Sequence, residues 1–159
     1  MISYEKVRQS LKTLNIFIIV LNTILAILSV IGLVLMILFL GNDEFKSSIP
    51  TEKLAVIEQA MSPFAIFISV LSILLTIGII VFCILNHKKI KNRLEISLLP
   101  YLLGFGLVTV NLISILTAQP SIVAIVIQII FLTLYYFAFS KAKTLNNKET
   151  DDNSEEIDA

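Results

Sequence analysis

Charged residues are scarce in this sequence, and four long stretches have none at all. Only 15% of the 159 residues are charged, whereas 57% are hydrophobic and the mean hydropathy is +0.92. A soluble domain usually carries about 25% charged residues and has no apolar run of 20 residues or more. The scarcity of charge therefore argues against a soluble domain and predicts that lipid surrounds most of the chain.

Cysteine and histidine occur once each, and tryptophan is missing. Cys83 alone cannot form an internal disulfide or a thiolate metal cluster, so we expect neither a metal nor another cofactor. We interpret Cys83 as a small packing residue, with lipidation as the alternative. His87 precedes Lys88 and Lys89 at the edge of an apolar stretch, where a solvated loop residue is the simplest interpretation.

The apolar stretches contain no aspartate, glutamate, lysine, arginine or histidine. A proton-coupled carrier nearly always places an ionisable group inside the membrane, because that group must bind and release the coupling ion. The segments outside the stretches are short and poor in reactive groups, so they offer little material for a catalytic site. We therefore expect a protein that is not an enzyme. The net formal charge is zero, and we expect no nucleic-acid partner.

Each of the four stretches is long enough to cross a bilayer as a helix. About 20 residues, rising 1.5 Å each, span roughly 30 Å of hydrocarbon. We predict an all-α integral membrane protein in which four transmembrane helices form an antiparallel bundle. The transmembrane domain covers 14–140, and the predicted spans are about 16–40, 63–85, 96–117 and 120–140.

The ends of two spans carry sequence signals. Ser62 is predicted to cap the second helix, because Pro63 suits the first helical position, where its missing N–H costs nothing. Asn92 and Glu95 are spaced as in a capping box, which predicts that the third helix begins in the preceding connection. Pro100 would then lie inside the early turns of that helix and could kink it.

Lysine and arginine are concentrated on one predicted side of the membrane. Ten of the twelve lie in the N-terminal segment 1–13, the loop 86–95 or the tail 141–159, and two lie in the loop 41–62. Basic residues mark the cytoplasmic side, so we predict that both termini and the loop 86–95 are cytoplasmic. This loop carries a membrane-surface basic cluster of Lys88, Lys89, Lys91 and Arg93. Lysine is preferred over arginine, and isoleucine and leucine over alanine and glycine, a composition that favours a bacterial plasma membrane.

The outer loop and the tail have different expected structures. In the outer loop 41–62, Leu54, Ile57 and Met61 share one helical face, which predicts a short helix lying along the membrane surface. The tail 141–159 is polar and acidic and has little apolar surface to bury. We therefore expect the tail to be disordered.

Small and polar residues repeat every seven positions in the spans, as Asn15, Asn22 and Ser29 do in the first. Such a repeat is typical of membrane helices that pack closely and hydrogen-bond across the contact. A polar path for a solute is the alternative. Asn111 and Gln128 are equidistant from the turn between the last two spans, so we predict a hydrogen bond between them. The candidate packing residues are Asn22, Ser29, Ser69, Ser72, Thr76, Gly104, Asn111 and Gln128.

These observations favour a small non-catalytic multi-pass protein whose expected partners are the lipid bilayer and another membrane protein or a second copy of itself. It would act as an accessory or scaffold subunit that binds through its helix faces or its tail. The alternative from another class is a self-immunity protein against a peptide toxin, or a small oligomeric exporter.

Overall fold

Four long helices make up most of the part of the chain that the structure describes. The computed structural model describes residues 3–40, 42, 44, 47–50, 57–59, 61–117 and 120–157. Across these residues the regular secondary structure is helical, with no strand. Each of the four helices is long and apolar enough to cross a membrane, which confirms the all-α prediction and its four helices of spanning length. The helices are α1 (Tyr4–Leu40), α2 (Pro63–Lys91), α3 (Leu99–Thr117) and α4 (Ile122–Ile157).

The predicted start of α2 is confirmed. The Oγ of Ser62 accepts a hydrogen bond from the backbone N–H of Ala65 at 3.2 Å, and Pro63 is the first helical residue. A proline there removes no helical hydrogen bond, because the first N–H groups of a helix have no partner within it.

The predicted start of α3 is wrong. α2 continues to Lys91 instead of ending at residue 85, and Arg93 follows it with a left-handed φ of 56°. Residues 94–97 are not helical, and α3 begins only at Leu99. The capping box therefore does not form, and Pro100 lies in the first turn of α3, where it breaks no helical hydrogen bond. His87 belongs to α2 and is half-buried, not a solvated loop residue.

The backbone before α3 is held by side chains from other helices, which explains why the helix starts late. Asn86 of α2 accepts a hydrogen bond from the Ser97 N–H at 3.0 Å and donates one to the Ser97 carbonyl at 2.7 Å. Asn146 of α4 pairs in the same way with both backbone groups of Ile96, at 2.9 and 2.8 Å. These bonds pair the N–H and carbonyl groups of Ile96 and Ser97 without a helical turn.

The tail also differs from its prediction, because α4 continues through it to Ile157. The first turns of α4 past the predicted span pack against the other helices. Ala142 and Leu145 are buried there, and Asn146 bonds to the backbone of Ile96. The polar composition had suggested disorder, but the apolar spacing of Ala138, Ala142 and Leu145 extends the buried face of the helix past the predicted span. In the outer loop, residues 57–59 are helical, while Leu54 lies outside the described residues.

Each helix packs against its sequence neighbours, and α1 also packs against α4. The α2–α3 connection lies at one end of the molecule, which we call the basic end. Glu5 of α1 lies 3.9 Å from Arg93, and Asn146 of α4 reaches Ile96, both in that connection. At the opposite end, the Gln59 side chain before α2 donates to the Thr117 carbonyl at the end of α3, at 3.1 Å.

Burial is confined to the half of the molecule nearer the basic end, which we call the basic half; the remainder is the far half. Among the described residues, the buried positions in α1 end at Asn22 and those in α3 end at Val108. In α2 they begin at Thr76, and in α4 they begin at Tyr135. The core is therefore off-centre, and Cys83 lies within it as a fully buried packing residue.

Candidate functional site

The candidate site is a series of polar layers between the helices. Its first element is the α1 repeat, which places Asn15, Asn22 and Ser29 along one face of the helix. Asn15 and Asn22 are fully buried, whereas Ser29 is exposed. Since no water is available in hydrocarbon, buried amides there need protein partners.

The first layer, nearest the basic end, joins α1, α2 and α3 around Tyr101. The Tyr101 hydroxyl donates to Oδ1 of Asn15 at 2.8 Å. Nδ2 of Asn86 donates to the Tyr101 oxygen at 3.5 Å, a long contact, and to the Ser97 carbonyl at 2.7 Å. The chain of bonds connects α1 through α3 to α2, and it anchors the α2–α3 connection.

The second layer joins α1 to α4. The Tyr135 hydroxyl donates to Oδ1 of Asn22 at 3.0 Å, and Nδ2 of Asn22 donates to the Ile18 carbonyl at 2.8 Å. The Tyr135 ring lies against the backbone of Gly104 in α3, where a Cβ would stand 2.5 Å from ring atoms. Gly104 is therefore the residue that makes room for the ring, because any side chain would collide with it.

The third layer is a cavity of about 120 Å³ among all four helices. Its polar lining is Ser29 of α1, Ser72 and Thr76 of α2, Asn111 of α3 and Gln128 of α4. Aliphatic side chains and the rings of Phe131 and Tyr135 complete the wall. The volume is sufficient for a few water molecules, and the lining offers them hydroxyl and amide partners but no charge.

Asn111 and Gln128 share this cavity without the hydrogen bond we predicted between them. Oδ1 of Asn111 accepts from the Ser72 hydroxyl at 3.3 Å, so Asn111 is paired across α2 and α3. In the part of the chain that the structure describes, no hydrogen bond joins Asn111 to Gln128, although both line the cavity wall. Equal depth in a hairpin does not decide which neighbouring helix an amide turns towards, and here Asn111 meets α2.

The other candidate packing residues have individual environments. Ser69 donates to the Ala65 carbonyl at 2.9 Å, and Thr76 donates to the Ser72 carbonyl at 2.7 Å, so both hydroxyls are satisfied on their own helix. Such bonds to the preceding turn are usual for hydroxyl residues in membrane helices.

The basic cluster lies where α2 ends. Lys88, Lys89 and Lys91 occupy its last turn, and Arg93 follows. Arg93 and Glu5 are about three-quarters exposed, so their ion pair adds little stability.

Sequence reasoning missed Asn86, Asn146 and Tyr101 as residues that join the helices. Asn86 and Asn146 were assigned to a loop and to a tail, yet both bond to the backbone before α3. Tyr101 carried a usable signal, because a tyrosine hydroxyl in an apolar stretch needs a partner at its own depth.

The polar layers could support packing or the passage of a small neutral solute. Within the described residues there is no group of three or more histidine, cysteine, aspartate or glutamate residues that could hold a metal ion. No protein-family model, curated protein or solved structure matches the chain.

Proposed function

We propose that this chain spans the cytoplasmic membrane of a bacterium four times as an antiparallel bundle, with both termini in the cytoplasm. The distribution of lysine and arginine supports this orientation, with ten residues on one side and two on the other. The contacts of Glu5 with Arg93 and of Asn146 with Ile96 are consistent with it, because they join the two terminal helices to the basic connection.

We further propose that the protein is a non-catalytic accessory subunit that binds a partner helix in the membrane. The observation that carries this proposal is the far half of α1, which has no buried residue, as in the other helices, and also carries the exposed Gly32. Four α1 residues nearer the basic end are fully buried (Leu11, Asn15, Ile18 and Asn22), whereas no residue from 23 to 38 is buried. Half of a span-length helix is therefore available to a second protein.

The exposed part of α1 has the features of a helix-packing face. A Cβ added at Gly32 would have no atom within 4 Å, and Ser29, one turn away, is exposed and lines the cavity. Small residues let a second backbone approach closely, which is the main source of specific association between helices in lipid. A helix seated over Ser29 and Gly32 would also contact one residue of the cavity lining.

Site-specific photocrosslinking in the membrane tests this proposal. A photoreactive side chain at Leu28 or Leu35 flanks Gly32, and Phe67 and Leu74 of α2 are matched controls because they are equally spaced and exposed. We expect a discrete protein adduct from the α1 positions and only lipid adducts from the α2 positions. The substitution Gly32→Leu should abolish the protein adduct. The adduct mass separates another protein from a second copy of this chain. Lipid adducts alone at all four positions would refute the proposal.

The cavity supports a second candidate function, that of a small oligomeric exporter, because its polar lining residues come from all four helices. The Tyr135 and Tyr101 layers lie between the cavity and the basic end, so transport would require both rings to move. Reconstitution in vesicles with a pH-sensitive dye tests the coupled form of this function. Because the predicted spans contain no aspartate, glutamate, lysine, arginine or histidine, we expect proton leakage no faster than in empty vesicles, and substrate-stimulated flux would make the exporter the better proposal.

A further inference from the structure

A polar groove lies between α1 and α2 at the basic end of the molecule. It has a volume of about 430 Å³, and four of its lining residues are cationic: Arg8, Lys12, Lys91 and Arg93. Glu5 is the one carboxylate among its lining residues, and it is already near Arg93 at 3.9 Å. Four positive charges against one negative charge make this groove suitable for an anion.

An apolar groove of about 330 Å³ lies along the same pair of helices. Its walls are Ile16, Ile19 and Val20 of α1 and Ile84 of α2, with His87 and Lys88 also lining it. Among the described residues, none forms a hydrogen bond with the buried Nδ1 of His87. The groove is therefore mainly aliphatic, with one histidine and one lysine in its lining.

The two grooves continue into one another along both helices. Lys12 and Ile16 are four residues apart on α1, which is about one turn or 6 Å along the axis. On α2, Lys91 leads to Lys88 and then to Ile84 at spacings of three and four residues, again on one face. The polar groove with its four cationic residues therefore leads into the apolar groove within one helical turn.

We propose that this α1–α2 groove binds an anionic phospholipid, with the phosphate among the four cations and one acyl chain along the isoleucines. The geometry favours a lipid over a free anion because the aliphatic groove would otherwise have no function in anion binding. Membrane orientation alone requires basic residues at this end but does not require them to surround one groove. Lys6 and Lys143 lie towards the same end of their helices and line neither groove.

Native mass spectrometry of the purified full-length chain tests the proposal. The ligands are phosphatidylglycerol, phosphatidylcholine with the same acyl chains, and inorganic phosphate. The test variant is Lys12→Gln with Lys91→Gln, and the matched control is Lys6→Gln with Lys143→Gln, which removes the same charge outside the groove. All four lysines are exposed, so neither variant disturbs the core.

We expect one phosphatidylglycerol to remain bound to the unmodified chain after phosphatidylcholine has dissociated. The groove variant should weaken its retention about tenfold or more, because each basic group close to an anionic headgroup contributes substantially to binding. The control variant should retain the lipid within about twofold of the unmodified chain. Equal retention of both lipids, equal losses in both variants, or displacement by millimolar phosphate would each overturn the proposal.

Discussion

The basic half and the far half of this structure are both rich in isoleucine, leucine and valine, yet they pack differently. Hydrogen bonds from Tyr101 to Asn15 and from Tyr135 to Asn22 join helices in the basic half, and every buried residue described lies there. In lipid, acyl chains solvate an isoleucine as well as a neighbouring helix does, so apolar surface alone does not bring helices together. The polar and small residues therefore decide where these helices pack together.

Cysteine labelling should give the largest contrast between the two halves. In a Cys83→Ser background, single cysteines replace Ser48, beyond the far end of α1, and Asn147, in the extension of α4. If basic residues orient the chain, an impermeant thiol reagent on intact cells should label the Ser48 position and not the Asn147 position. Permeabilised cells provide the control, because both positions should then react. The reverse pattern would show that the basic end faces outwards.

The next largest effect should come from adding one methyl group to a glycine in each half. Gly104→Ala places a Cβ 2.5 Å from the Tyr135 ring, whereas Gly32→Ala meets no atom within 4 Å. The first substitution should lower the free energy of unfolding in mixed micelles by about 1–3 kcal/mol, as overpacking does. The second should be neutral or stabilise the helix by up to about 1 kcal/mol. Equal effects would mean that the halves are equally packed.

The sequence predicted the features that depend on local composition, but not those that depend on contacts between helices. The four helical stretches, and the Ser62 cap of α2, depend on local composition and were predicted correctly. The start of α3 and the extension of α4 depend on Asn86 and Asn146 reaching the backbone of residues 96 and 97 from other helices. Local patterns contain no information about such contacts. A capping-box pattern at 92–95 was therefore misleading, because tertiary hydrogen bonds had already satisfied the backbone beyond it.

A smaller effect should follow from removing the hydroxyl that joins α4 to α1. Tyr135→Phe leaves the ring against Gly104 but removes the hydrogen bond to Asn22, which should cost about 0.6–2 kcal/mol of unfolding free energy. Tyr136→Phe is the matched control, because Tyr136 is 60% exposed and should lose almost nothing. Adding Asn22→Leu to Tyr135→Phe should cost less than the sum of the single changes, since one bond is removed in both. Full additivity would show that the two side chains do not interact.

The smallest effects should lie at the cavity, where the basic half ends and polar groups are only partly paired. The Ser72 hydroxyl is 3.3 Å from Oδ1 of Asn111, which is long for a bond between a hydroxyl and an amide oxygen. Ser72→Ala and Asn111→Leu should therefore show a coupling energy of about 0.6 kcal/mol, near the average for polar pairs in membrane helices.

Asn111→Leu and Gln128→Leu should be additive within about 0.5 kcal/mol, because no described bond joins the two amides. Gln128→Leu alone should be close to neutral, since it exchanges an amide that bonds to no described residue for an apolar side chain of similar size. The same unfolding titration in mixed micelles measures the coupling of Ser72 with Asn111, the additivity of Asn111 with Gln128, and the effect of Gln128→Leu alone. If the coupling instead appears between Asn111 and Gln128, the amides pair across the α3–α4 hairpin, and the cavity is closed by a bond that the structure does not contain.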